Sequence, residues 1–277
     1  MLNVLLTNDD GIEAEGLQAM RGALAELEGI RLEVIAPDGN RSAMARSITT
    51  RRPLWVAETP FSDGTFGYAS DGTPVDCVRL ANLGLIDGFS PDLVVSGINH
   101  GANLGDDITY SGTVAAALEG VVLGIPAIAV SQQSRARALD FRYDGGFSFQ
   151  TAADFVARLV SRIEDVPLPP QTLLNVNVPA GEPDGVEVTR LGKRIYEDEL
   201  KLEREEEHGR RYWIYGSNPG FHDEQGTDLA AVAAGRVAVT PMHFDLTHHP
   251  GLQALRGFDL EELLGSPVGE RPIPRTS

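Results

Sequence analysis

A doubly wound α/β domain is the fold class this sequence predicts, and three observations carry it. Short apolar runs alternate with stretches of helical periodicity over roughly residues 1–185. The runs are continuously apolar rather than alternating, as strands covered on both faces are. Polar, glycine-bearing turns follow directly on several of them, and parallel strands deliver such turns to one edge of a sheet.

Residues 2–6 form the first strand. Leu17, Met20, Leu24 and Leu27 recur at helical spacing with charges between them, which predicts the first helix. Residues 32–36 are the second strand, ended by Pro37-Asp38-Gly39. A β-rich excursion is expected through 48–58 and 65–69. Pro74 suits a first helical turn and opens a helix carrying Val75, Val78, Leu80 and Leu83. Residues 93–95 are the next strand, followed by a glycine-rich loop and a helix over 113–123. Residues 127–130 are a strand, 149–163 a helix and 173–178 a strand. The stretch 113–131 could imitate a membrane span, but Glu119, Gly124 and Pro126 interrupt it. It reads as a buried helix followed by a buried strand. The sum is a Rossmann-like, mostly parallel sheet over 1–185.

The remainder has a different texture. From 190 to 226 the chain is charged and weakly periodic, with Tyr212-Trp213-Ile214-Tyr215 as a strand candidate inside it. That is too long for an ordinary loop of a compact domain. It is either disordered or an extended hairpin that packs on another subunit. Gly226-Thr227-Asp228 looks like a capped helix start, and residues 237–240 like a late strand. We expect one domain over 1–250, in which 186–250 form an oligomerisation arm with a closing strand and helix. Residues 251–277, with Pro267, Pro272 and Pro274, read as a flexible tail.

Composition narrows the partners. Lys and Arg total 23 against 40 Asp and Glu, a formal net charge of −17. Such a surface does not favour nonspecific binding to duplex nucleic acid or anionic membrane. The single Cys77 excludes an intrachain disulfide and a cysteine metal cluster. With no secretory signal visible, a cytoplasmic protein is expected.

Three patches carry chemistry: Thr7-Asn8-Asp9-Asp10-Gly11, Asn40-Arg41-Ser42 and Gly97-Ile98-Asn99-His100-Gly101. Asp9 and Asp10 are adjacent, so a regular strand would point them to opposite faces. At a bend with Gly11 beside it, both can face one point. Two close carboxylates in a crevice call for a cation between them or for one proton. The alternative is that one of them caps the helix starting near Ala14. Ser42, Asn40 and Asn99 each have an ordinary turn reading when taken alone. Together they supply the hydroxyl and amide oxygens that suit Mg²⁺ or Mn²⁺. Ser111-Gly112-Thr113 leads into the small-residue run Val114-Ala115-Ala116-Ala117. A helix start of this kind offers N–H groups and hydroxyls to an anion, or simply caps itself. Asp106 and Asp107 are expected to face solvent or to position partners. Arg41, Arg46, Arg51 and Arg52 form a local basic cluster, read as a solvated hairpin face or as substrate-recruiting cations. His100, His243, His248 and His249 have no zinc spacing.

These motifs resemble the SurE family of survival-protein-E 5'-nucleotidases. The resemblance rests on the patches above with Ala36-Pro37-Asp38, and on Gly72-Thr73-Pro74-Val75-Asp76-Cys77-Val78. It continues through Ala102-Asn103-Leu104-Gly105, Tyr110 to Gly120, Gly226-Thr227-Asp228 and Val239-Thr240-Pro241 to Thr247, in order to about residue 250. It implies that Asp9, Asp10, Ser42 and Asn99 bind one divalent metal per subunit, with Asp9 and Asp10 catalytic. It implies that Asn40, Asn99, Asn103, Ser111, Gly112 and Thr113 hold the phosphate. It also implies a homodimer or tetramer built through the C-terminal arm. The expected activity is hydrolysis of nucleoside 5'-monophosphates, extending to 3'-monophosphates and short polyphosphate. The competing expectations are a non-catalytic nucleotide-binding regulator and a metal-dependent nucleotide-sugar transferase.

Overall fold

The computed structural model describes residues 1–137, 146–196, 199–214, 220–258 and 260–265. It divides into two compact units, Met1–Phe244 and Asp245–Ser277.

In the first unit the alternation is realised as predicted. Strand β1 (Leu2–Thr7) leads through a tight turn to α1 (Glu15–Ala25), and β2 (Ile30–Pro37) follows. A hairpin of β3 (Val56–Pro60) and β4 (Phe66–Ser70) precedes α2 (Pro74–Asn82). Next come β5 (Leu93–His100), a 3₁₀ turn (Gly105–Thr109), α3 (Gly112–Val122) and β6 (Ala127–Gln132). Then follow α4 (Gln150–Val160), β7 (Thr172–Val178) and β8 (Val186–Val188). The arm contains β9 (Arg194–Ile195), β10 (Lys201–Glu206), β11 (Gly209–Trp213) and β12 (Gly220–Phe221), and α5 (Asp228–Ala233) and β13 (Val237–His243) close the unit.

Nine strands form one sheet in the order β3-β4-β2-β1-β5-β6-β7-β13-β8. Strands β4, β2, β1, β5, β6 and β7 are mutually parallel, while β3 and β13 run antiparallel to their neighbours β4 and β7. Strand order reverses between β1 and β5, and such a switch point opens a crevice at the carboxyl ends of the strands.

The strand pleat explains the two layers. Val4 and Leu6 of β1 pack with Leu17, Met20 and Leu24 of α1 and with Ala152, Val156 and Val160 of α4. Leu5, pointing the other way, packs with Cys77 and Val78 of α2 and with Val114, Ala117 and Val121 of α3. Each fully buried aliphatic side chain contributes about 1.5–3 kcal/mol, which favours this register over a one-residue slip. Cys77 is fully buried and its thiol pKa is pushed far up by that burial, so it is a packing residue rather than a nucleophile. Pro74 opens α2 as expected, beneath a reciprocal cap between Thr73 and Asp76.

Three expectations need correction. Residues 48–55 are not strand. Ser47 O accepts from Thr73 Oγ1 at 2.8 Å and Thr49 N donates to Asp76 Oδ1 at 3.1 Å. This segment therefore spends its backbone groups on the start of α2, and Pro53 has no ladder donor to give. Strand β5 runs five residues past Val95 to His100, with a pairing irregularity against β6 between Ser96 and Asn99. Asn99 thus sits in the strand's final turnward residues, not beyond them. The end of the chain is the third case: α6 (His249–Arg256) and α7 (Glu262–Gly265) lie in the second unit, where only a tail was expected from 251. Pro250 occupies the first turn of α6 and His248 caps it, accepting from Gly251 N at 3.2 Å. Pro267, Pro272, Pro274 and Tyr215 fall outside the described residues.

Within the arm, β10 and β11 form an antiparallel hairpin, and β9 pairs with β12. Thr227 caps α5, accepting from Ala230 N at 3.2 Å. No helix among the described residues is long and apolar enough to cross a membrane.

Candidate active site

The turn after β1 is built around Asn8. Its Nδ2 donates to Gly11 O at 2.8 Å, and its Oδ1 accepts from Gly11 N at 3.2 Å. Gly11 has φ of +109°, and a Cβ there would lie 3.0 Å from Gly39 Cα. Only glycine meets both conditions. This bend lets Asp9 and Asp10 serve one crevice. Neither caps α1, whose N-cap Ala14 makes no side-chain bond, so the capping alternative is set aside.

Asp9 is 3% exposed. Its Oδ1 accepts from Thr113 Oγ1 at 2.5 Å, and its backbone carbonyl accepts from Arg41 N at 2.6 Å. Asp10 Oδ2 accepts from His100 N at 3.1 Å, and its Oδ1 from Asn40 Nδ2 at 3.4 Å. Asn40 Oδ1 in turn accepts from Ser42 N at 2.9 Å. The loops after β1 and β2, the end of β5 and the start of α3 therefore meet at the carboxylate pair.

Electrostatics mark the pair as an incomplete set. Burial, and then the charge of Asp10, raise the Asp9 carboxyl above the ordinary carboxylate range. Burial does the same to Asp10, against the opposing bond from His100. Among the described residues neither carboxylate has an ion-pair partner, and no cluster of three His, Cys, Asp or Glu forms. Two carboxylates, hydroxyls and amide oxygens are hard donors, the chemistry that Mg²⁺ and Mn²⁺ take and that zinc clusters lack. The residues present fit a divalent cation.

The other predicted residues divide. Asn99 is half-buried beside His100, and its Nδ2 donates to Gly101 O at 2.7 Å. Its φ is not positive, so it is not a left-handed turn residue. Ser111 caps α3, accepting from Val114 N at 3.1 Å. Gly112 lies so close to Asp9 that an added Cβ would sit 2.7 Å from Asp9 Cβ. Thr113, fully buried, is the hydroxyl on Asp9. The α3 start and the carboxylate pair are thus one assembly. Asn103 stands apart. Its Nδ2 donates to Ser131 Oγ at 2.8 Å, its N to Asn177 Oδ1 at 2.8 Å, and its carbonyl accepts from Asn175 and Asn177, both at 3.0 Å. It is 7% exposed and knits β6 and β7 to the loop after β5.

Sequence reasoning missed one support and left the role of a second open. Glu119, 1% exposed in α3, receives Arg46 and Arg79, each at 2.6 Å. Arg46 belongs to the loop that carries Ser42, and its guanidinium also covers the Phe244 ring at 4.4 Å. Two cations on one buried carboxylate form an anchor rather than a solvated face. The signal was a glutamate inside an otherwise apolar helix. Asp107 is the second support. It pairs with buried Arg194 at 2.8 Å and accepts from Tyr196 Oη at 2.7 Å, while Asp106 Oδ2 accepts from Arg194 N at 3.1 Å. Both aspartates position the arm, one of the two roles expected for them. His100 is half-buried against Phe147 and Phe149, and accepts from Gly16 N through Nε2 at 3.2 Å.

Known proteins share this architecture. The family model described as "Survival protein SurE" matches residues 4–198. A 5'-nucleotidase SurE of Rubrobacter xylanophilus is 51% identical over 270 residues, covering 95% of this chain and 99% of that one. That of Chloroflexus aggregans is 47% identical over 261 residues, covering 93% and 99%. The crystal structure of the SurE protein from Aquifex aeolicus superposes with a TM-score of 0.75 at 38% identity, covering 92% of this chain and 98% of that one. Matched by this family model over residues 4–198 and by these relatives over nearly its whole length, the chain belongs to the SurE family.

Proposed function

We propose that this chain is a 5'-nucleotidase, a phosphomonoesterase that needs one Mg²⁺ or Mn²⁺ per subunit and converts nucleoside 5'-monophosphates to nucleoside and phosphate. The names borne by its relatives support the activity. The observation that carries the metal requirement is the Asp9–Asp10 pair, raised in pKa and without a cation partner among the described residues. Asp9, Asp10, Ser42 and Asn99 would hold the ion. When bound, it supplies Lewis acidity toward a phosphate oxygen and lowers the pKa of a water.

The chain's own groups do the rest. The N–H groups at the start of α3, the Ser111 hydroxyl and the Asn99 amide face charge that builds on the phosphoryl oxygens, while Thr113 gives its hydroxyl proton to Asp9 and offers the phosphate its backbone N–H. Asn40 orients Asp10 and also lies within reach of the phosphate. Asn103 contributes by fixing the loop that follows Asn99. Asp9 or Asp10 accepts the proton of the attacking water, and a carboxyl pKa raised toward neutrality improves that base. Phosphomonoester hydrolysis is so slow uncatalysed that stabilisation on the order of 20 kcal/mol is required, and preorganised dipoles at the α3 start together with a cation at the carboxylate pair would be the source. The same site would admit 3'-monophosphates and the ends of short polyphosphate.

We extend the proposal to assembly and location. Strands β10 and β11 are exposed along their whole length, with Leu202 48% and Trp213 61% exposed. An isolated two-stranded hairpin is marginal in water, so it belongs against a second copy of the chain in a dimer or tetramer. One buried cysteine and an acidic surface suit the cytoplasm. Phosphate release from AMP with Mn²⁺, abolished by a chelator and restored by added metal, tests the reading. Nucleotide binding without release would make the chain a regulator instead.

A further inference from the structure

The 3₁₀ turn that leads into α3 is bonded to the C-terminal arm. Gly105 N donates to Asp228 Oδ2 at 2.8 Å, and Gly192 N donates to Asp228 Oδ1 at 2.8 Å, so one fully buried carboxylate holds both segments. Gly105 has φ of +54°, and an added Cβ would sit 2.8 Å from Gly192 O. The two backbones meet there with no room for a side chain. One residue on, Asp106 Oδ2 accepts from Arg194 N at 3.1 Å. Asp107 Oδ2 lies 2.8 Å from Arg194 Nε, and Asp107 Oδ1 accepts from Tyr196 Oη at 2.7 Å. Leu104, just before the turn, packs with Leu229, Val232 and Phe221 of the same arm.

The other side of the turn is bonded to the start of α3. Tyr110 N donates to Asp107 O at 3.0 Å, and Ser111 N to Ile108 O at 3.3 Å. Ser111 is the cap of α3, and Gly112 lies against Asp9. The backbone of Asp107 therefore helps to set where the cap and the first N–H groups of α3 point. The Arg194 and Asp107 side chains are 1% and 6% exposed. A buried ion pair recovers in attraction roughly what it loses in hydration, so its net contribution to stability is small. What such a pair does supply is a fixed register between the two segments that carry it.

We propose that Arg194, through Asp107, is a positioning residue for phosphate binding, so that the arm completes the anion site at the start of α3. The proposal rests on the nucleotidase reading of that site. Arg194 acts through the turn, without touching substrate. A misplacement of about 1 Å in groups that align a reacting centre can cost about 100-fold in rate, so a lock on this turn reaches the chemistry.

The test uses the full-length, Mn²⁺-loaded protein with inorganic phosphate as the probe and AMP turnover beside it. Arg194→Met combined with Asp107→Asn removes both charges, so no lone charge stays buried. Phosphate affinity, read by calorimetry, should fall about tenfold, and kcat on AMP by a similar factor. Mn²⁺ affinity should fall less, because Asp10 is held by His100 N and Asn99 by Gly101 O, away from this turn. Arg194→Lys keeps a cation facing Asp107 and should recover most of the loss. Tyr196→Phe removes a single hydroxyl from an exposed residue and should weaken phosphate about threefold. That variant decides the matter if the double variant does not fold. Wild-type phosphate affinity in the folded variants overturns the proposal. Equal losses of phosphate affinity, Mn²⁺ affinity and Tm, with no recovery in Arg194→Lys, make the pair merely structural and overturn it too. A wild type that binds phosphate but releases none from AMP is failure of the nucleotidase reading, and the phosphate affinities of the variants still decide the lock.

Discussion

Thr113 Oγ1 stands 2.5 Å from Asp9 Oδ1, so the first turn of α3 is bonded to the first carboxylate of the chain across 104 positions of sequence. One hydroxyl thereby couples the helix start proposed to hold the phosphate to the carboxylate pair proposed to hold the cation. Thr113→Val keeps the shape and removes the bond. We expect kcat to fall by about tenfold, the loss of one charge-assisted hydrogen bond. Circular dichroism should be unchanged, and an unaltered kcat would remove the coupling from the mechanism. Gly112→Ala should be more damaging, because its methyl would sit 2.7 Å from Asp9 Oδ2. Overpacking of this kind costs about 1–3 kcal/mol of stability, measured by urea unfolding.

Asp10→Asn separates stability from activity. The ionised pair repels within a buried site, so the amide is expected to stabilise the metal-free protein by about 1–2 kcal/mol at pH 8. Metal-dependent turnover should fall by at least about 100-fold. A variant that is destabilised yet active contradicts the ligand assignment.

The pH dependence follows from the raised carboxyls of Asp9 and Asp10. Between the ordinary carboxylate value and the raised one, the folded state binds more protons than the unfolded state. Metal-free stability contributed by these groups is therefore greatest at low pH and declines as pH rises through that window. Mn²⁺ replaces the protons, so its stabilising shift in Tm should be small near pH 5 and grow toward pH 8. A shift independent of pH would separate metal binding from the aspartates.

Arg46→Met tests the anchor on Glu119. Arg79 remains as the partner of that buried carboxylate, so we expect a loss of about 2 kcal/mol rather than the larger cost of a fully orphaned charge. Because Arg46 lies four residues from Ser42, Mn²⁺ affinity measured by calorimetry should fall while kcat at saturating metal changes little. Unchanged affinity would confine Arg46 to a stabilising role.

Replacing residues 201–213 by a short glycine-serine linker removes the exposed hairpin and leaves β13 in the sheet. Light scattering should report a smaller assembly. The parent mass in that variant would exclude the hairpin from the interface.

How much of this was legible beforehand can be read from particular residues. The pleat of Val4, Leu5 and Leu6, the spacing of Leu17, Met20 and Leu24, and Pro74 are local signals, so the order of strands and helices was written in the chain. So was the chemical character of Asp9-Asp10-Gly11 and Ser111-Gly112-Thr113, because residue type sets donor hardness and capping ability. The partners were not. That Asp10 is held by the backbone of His100, that Asp9 is held by Thr113, and that Glu119 gathers Arg46 and Arg79 depend on which strands become neighbours. Periodicity within a segment is fixed by backbone geometry a few residues wide. Contacts across 40 to 104 positions are fixed by sheet order and by how two helix layers close on it, and only the folded chain decides those.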